Sequence, residues 1–262
     1  MSALTARFAQ YAAMIRHEDL PAEVETRTRF LILDLLGNII RGRHDAESSA
    51  PLLAAARAMG LAHGNHAVFG EVSRWSPTGA ALLNGAFAHS LDFDDTHAAG
   101  TLHPGAPVIP AALAAAELTG ASGEDVIAAI VAGYEVTNRL ALALPGGDHY
   151  DRGYHPTATC GVFGGAAAAG RVMGLSEAQI AERWASPSAN RPAACNSSPM
   201  GRGPSASRWA GPPWPGFRPR CWRARVSAVR PRRWRARPAS CAPMPPTPIR
   251  SALSRALALN MS

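Results

Sequence analysis

One discontinuity limits what this chain of 262 residues can fold into. Residues 1 to 185 carry all 19 acids and 12 arginines, a balance of −7, whereas residues 186 to 262 carry 14 arginines and no acid, a balance of +14. The second stretch also holds 14 of the 22 prolines, four of the six tryptophans, and Cys195, Cys221 and Cys241. Its prolines break any regular element, its cations have no partner nearby, and no apolar period emerges before SALSRALALNMS. Such a segment buries too little to offset the entropy of ordering it, and it reads as a disordered basic tail. Lysine is absent throughout while Ala, Gly, Pro and Arg abound, the signature of a GC-rich coding sequence.

The first stretch reads as helix after helix, so the expected class is all-α. Leu4 to Ile15 spaces its apolar residues for one buried stripe, and Pro21 can open a second helix through FLILDLLGNII. Further helices are predicted over Ala46 to Met59, Pro77 to Leu91, Pro107 to Leu118, Asp125 to Leu144 and Thr157 to Met173. Gly60, Gly120 and Gly174 fall where helices should stop, and Ser122 with acids at Glu124 and Asp125 marks a start. Only His66 to Phe69 looks extended. Runs such as ALLNGAFAHS and GVFGGAAAAG are small on more than one face, which permits close helix packing in a core.

The densest polar cluster in this apolar text is HSLDFDDTHAAGTLHPGAPVIP, residues 89 to 110. If the helix continues to about residue 95, Asp92, Asp95 and Thr96 share a face and Asp94 points elsewhere. That face, beside a loop carrying His103, can set an acid, a hydroxyl and an imidazole around one ligand. A second polar point is His155, ahead of a predicted helix N-terminus whose free N–H groups favour a carboxylate. A capped, solvated loop is the plain alternative for the first, and a loop histidine for the second. The Asp/His spacing matches no metal template such as H-E-x-x-H, no phosphate-binding glycine loop is present, and Cys160 reads as packing. His44, His63, His66 and His149 read as loop residues. There is no secretory leader pattern and no uncharged run of about 18 apolar residues, so a soluble cytoplasmic protein without membrane contact is expected.

Three ordered strings, NGAFAHSLDFDDTH, HPGAPVIPAALAAAE and GYHPTATCGVFGGAAAAGRVMGLSEAQIA, closely resemble the MmgE/PrpD family over about residues 5 to 182. The family includes 2-methylcitrate dehydratase, cis-aconitate decarboxylase and iminodisuccinate epimerase. The resemblance implies a homodimeric enzyme with a large helical domain and a smaller α+β domain, acting on small di- and tricarboxylates with neither metal nor cofactor. Its site residues fall on Asp92, Thr96, His103 and His155. The family's next active-site element is a lysine, which this chain lacks.

The foreign tail starts where the family text would continue. Read from Arg183 in a frame shifted by one nucleotide, the codons permit A-L-G-I-A-x-S-Q-S-A-G-G-L-Q-F and later D-G-A-W-x-K-R-L, with the missing lysine. A single-base insertion or deletion near Glu182 is therefore expected, dividing the chain into a partial helical domain, 1–182, and an out-of-frame tail, 183–262. The functional expectation is a lyase or isomerase of 2-methylcitrate dehydratase type that abstracts a proton next to a carboxylate, inactive as truncated. The rival is a nucleic-acid-binding protein using RPRCWRARVSAVRPRRWRARP, whose Arg and Trp could neutralise phosphates and stack on bases; the frame shift explains that composition without any such function.

Overall fold

The computed structural model describes residues 3–144 and 146–185. The helices in chain order are α1 (Ala3–Met14), α2 (Ala22–Asp45), α3 (Ser49–Ala58), α4 (Pro77–His89), α5 (Gly105–Thr119), α6 (Gly123–Ala143), α7 (Gly146–Asp151), α8 (Pro156–Val172) and α9 (Glu177–Ala185). The all-α reading stands for the described residues. The expectations for the basic tail, its disorder included, concern residues outside these.

The punctuation of the sequence sets most boundaries. Gly60, Gly120 and Gly174 adopt positive φ of 73°, 70° and 67° just beyond α3, α5 and α8, a backbone that other residues reach only under strain. Ser122 Oγ accepts the Asp125 amide at 3.1 Å and starts α6; Ser76 does the same with Gly79 for α4, where Pro77 follows the cap. The extended piece is a two-residue strand, β1 (His66–Ala67), paired antiparallel with an unforeseen β2 (Arg74–Trp75). Asn84 on α4 fastens it, donating to the Ala67 carbonyl and accepting from the Phe69 amide, both at 3.0 Å.

Helices α4, α5, α6 and α8 form the centre. Leu83 and Phe87 of α4, Val108 and Ile109 of α5, Ile130 of α6 and Ala168 of α8 are buried in one cluster with Leu35 and Ile39 of α2. A second cluster joins Phe8 of α1, Val136 of α6 and Ile180 and Trp184 of α9. By length and apolar content α6 could cross a membrane, but most of it is buried within the protein's own core. Close approach depends on small residues: a Cβ on Gly133 of α6 would come within 2.5 Å of Val108 and 2.8 Å of the Gly164 carbonyl oxygen of α8. Cys160 is buried inside α8, and burial pushes its thiol up to about 11, consistent with a packing role.

Candidate active site

The helix predicted to run to Leu91 or beyond stops at His89. Ser90 turns its hydroxyl back to the Ala86 carbonyl, and Asp92 sits in the left-handed region with φ 59°. That turn overturns the expected grouping of side chains. Asp95, foreseen beside Asp92 and Thr96, faces α6 instead: its Oδ2 accepts from the Tyr134 hydroxyl and its Oδ1 from the Gly105 amide, each at 3.1 Å. Burial raises the Asp95 carboxyl above its ordinary 3.8. Asp94, foreseen as pointing away, is the one that turns inward, with a side chain entirely buried.

Around Asp94 the imidazoles gather. His89 Nδ1 lies 3.0 Å from both Asp94 carboxylate oxygens. His103 Nδ1 lies 3.4 Å from Asp94 Oδ1, 3.3 Å from the Asp94 carbonyl oxygen and 3.5 Å from Thr96 Oγ1. A carboxylate and a carbonyl only accept, so both Nδ1 atoms donate. In the neutral ring His103 Nε2 then carries the lone pair; Oδ1 of Asp92, whose side chain is 78% exposed, lies 3.5 Å from it and favours a second proton there. The His103 amide donates to Thr157 Oγ1 at 3.0 Å, which binds this loop to the start of α8.

His155 completes the cluster. Its ring centroid is 5.6 Å from that of His89, which in turn is 4.9 Å from that of His103. Its Nδ1 accepts the Thr157 amide at 3.1 Å as the N-cap of α8, so the proton of the neutral ring sits on Nε2. This corrects the expectation of free N–H groups for a carboxylate at this terminus: Pro156 has none, Thr157 N is capped, and Ala158 N and Thr159 N bond to the His155 carbonyl oxygen. Thus Asp92, Thr96, His103 and His155 lie in one neighbourhood, and the two residues that link them, Asp94 and His89, belong to the polar cluster of the sequence, which assigned neither a part in the site. His97 stands apart in role, its Nδ1 accepting the Gly100 amide to fold the turn. His149 lies on the short helix α7, with Nε2 3.0 Å from Thr159 Oγ1.

Electrostatics divides the imidazoles. The hydrogen bond to Asp94, reinforced by its charge, raises His89 above the ordinary 6.5, whereas burial and the neighbouring His89 and His103 lower His155. Their effects on stability have opposite sign. His89 contributes stability present below about pH 6.5 and lost as pH rises through its elevated value; His155 costs stability as pH falls below about 6.5, where the unfolded ring protonates first. Histidine Cε1–H signals followed by NMR should titrate above 6.5 for His89 and below it for His155; a reversed order would refute this charge assignment.

Donor atoms of His89, Asp92, Asp94 and His103 all lie within 4.8 Å of one another, close enough to converge on a cation. The same atoms already serve to hold the imidazoles in place. Beside this cluster a cavity of about 710 Å³ is lined by Arg27, Asp34, Asp95, Thr96, Tyr134 and Asn138, so Thr96 stands between the cavity and the imidazoles.

Comparison with known proteins bears on the chemistry of this arrangement. The model of the MmgE/PrpD N-terminal domain matches residues 6–193. The chain belongs to the MmgE/PrpD family. Among its MmgE/PrpD relatives, the cis-aconitate decarboxylase-like protein oryM of Aspergillus oryzae is 33% identical over 182 residues, covering 66% of this chain and 37% of that protein. Cis-aconitate decarboxylase of Aspergillus terreus is 32% identical over 67% of this chain and 36% of its own length, and that of Homo sapiens 31% identical over 71% and 39%. The chain therefore spans little more than a third of the length of these relatives.

Proposed function

We propose that the described residues form the histidine–aspartate part of a lyase site that moves a proton on a carbon next to a carboxylate of a small di- or tricarboxylate. The observation that carries this reading is the opposite use of Nδ1 in the two rings that flank His89. In their neutral forms His103 donates through Nδ1 and presents a bare Nε2, the arrangement of a base, and His155 accepts through Nδ1 and presents Nε2–H, the arrangement of a donor to a developing enolate-like oxygen. Proton uptake at His103 Nε2 creates an imidazolium that Asp92, 3.5 Å away, stabilises. Thr96 offers a hydroxyl to the substrate from the rim of the adjoining cavity. Dehydration and epimerisation begin with removal of such a proton; decarboxylation ends with its return to the carbon vacated by carbon dioxide.

The names of the relatives favour cis-aconitate over 2-methylcitrate as the substrate. The chain contains no lysine. We propose that the reading frame is shifted near Glu182, that the chain as written binds carboxylate without turning it over, and that the frame-restored protein is active, as a homodimer. Resequencing across codons 175 to 210 tests the frame. Proton NMR of cis-aconitate, and separately of 2-methylcitrate, mixed with the frame-restored protein then tests the chemistry. Conversion of either substrate supports the lyase reading; no conversion and no binding of either rejects it. The nucleic-acid alternative rests on residues outside the described ones, and no observation favours it.

A further inference from the structure

We propose that His89, held by the buried carboxylate of Asp94, is a carboxylate-binding residue that recognises a substrate carboxylate other than the one beside the reacting carbon. This inference rests on the carboxylate reading above and adds a residue to it.

The argument starts from the two nitrogens of one ring. His89 Nδ1 is engaged at 3.0 Å by both oxygens of Asp94, a side chain with no exposed surface. A buried carboxylate needs a cation or several donors, and the nearest donors are the rings of His89 and His103. Of the two, His89 is the closer, and its hydrogen bond is charge-assisted when the ring is protonated. The shift of His89 above its ordinary value agrees. Its second nitrogen, Nε2, has no hydrogen-bond partner among the described residues. Its ring is one-third exposed and flanked by those of His103, at 4.9 Å between centroids, and His155, at 5.6 Å.

An Nε2 whose ring Asp94 draws toward the protonated form, partly open and without a partner among the described residues, set beside a base and a donor, is a fit for an anion delivered with the substrate. Neither neighbouring ring is suited to that task. His103 needs its Nε2 bare to accept a proton, and His155 resists protonation while its Nδ1 caps α8. In the other direction, a ligand carboxylate on His89 Nε2 adds a second anion across the ring from Asp94, which strengthens the cation and leaves His103 free for the proton.

The test uses the full 262-residue chain, labelled with nitrogen-15 in histidine, and cis-aconitate as the probe. On titration the His89 Nε2 resonance should shift together with those of His103 and His155. The His89→Gln variant should bind cis-aconitate about tenfold more weakly by calorimetry, measured at a temperature where circular dichroism shows the variant folded. Citraconate, the same skeleton with one carboxymethyl arm replaced by methyl, should lose less than cis-aconitate does on this substitution if that arm is the one held. Binding that shifts His103 and His155 but leaves His89 Nε2 unmoved, or a His89→Gln variant of unaltered affinity, overturns the role of His89 and leaves the lyase reading intact. No binding at all by the unsubstituted chain overturns both. Should His89→Gln not fold, the resonance titration of the unsubstituted chain still decides.

Discussion

Gly164→Val should lower the melting temperature of the helical domain by about 10 °C, corresponding to roughly 3 kcal/mol in a domain of this size. At the crossing of α6 and α8 a Cβ on Gly164 would run into the Thr137 hydroxyl and come within 2.5 Å of the Gly133 carbonyl oxygen. The hydroxyl is itself committed, donating to the Gly133 carbonyl at 2.8 Å, and the carbonyl belongs to backbone that cannot turn aside. The helices must part, and with them the buried contacts of Val108, Ile130 and Ala168. Gly37, on α2, is the control, since a Cβ there meets nothing within 4 Å; Gly37→Ala should leave the melting temperature level or raise it. Circular dichroism melts of both variants check the pair. Equal melting temperatures would show that α6 and α8 do not cross this closely.

The other large effect belongs to His103. In the frame-restored protein, His103→Ala should reduce turnover of cis-aconitate by about 10²- to 10⁴-fold, the range expected for loss of a general base, while the melting temperature moves by only a few degrees. The ring makes only long contacts through its side chain, at 3.3 to 3.5 Å, so little folding energy depends on it. The loss should appear in kcat with binding of cis-aconitate largely retained, because His89 and Thr96 remain. Calorimetry beside a product assay separates the two. Unchanged turnover would remove His103 from the reaction.

The helices were legible because their ends are chemical. Glycine at positive φ after α3, α5 and α8, and the Ser122 hydroxyl ahead of α6, act within one turn of the chain and need no tertiary context. Asp92, Thr96, His103 and His155 were legible as members of motifs, and the fold brings them into one neighbourhood. What the sequence concealed is the turn after His89. SLDFDDT does not single out Asp92 for the left-handed conformation, because aspartate visits that region more readily than most residues and Asp94 and Asp95 stand beside it as equal candidates. One reversed residue sends Asp94 inward and Asp95 toward Tyr134, so an argument from a continuous helical face inverts their parts. The second strand escaped notice for a similar reason, since two residues are too few to show a period.

The N-cap of α8 has a bearing on how mutations at this site should be interpreted. One nitrogen of His155 fastens a helix that runs through the middle of the core, while its ring packs beside that of His89. Truncation to alanine removes both at once, so a drop in activity there would mix a frayed helix with a lost proton donor. Asn or Asp at position 155 keeps an oxygen for the Thr157 amide while deleting the ring N–H, and isolates the chemistry. The same coupling makes acid a mechanical agent: putting a proton on Nδ1 unfastens the first turn of α8 and, through Thr157 and the His103 amide, loosens the loop that carries the base.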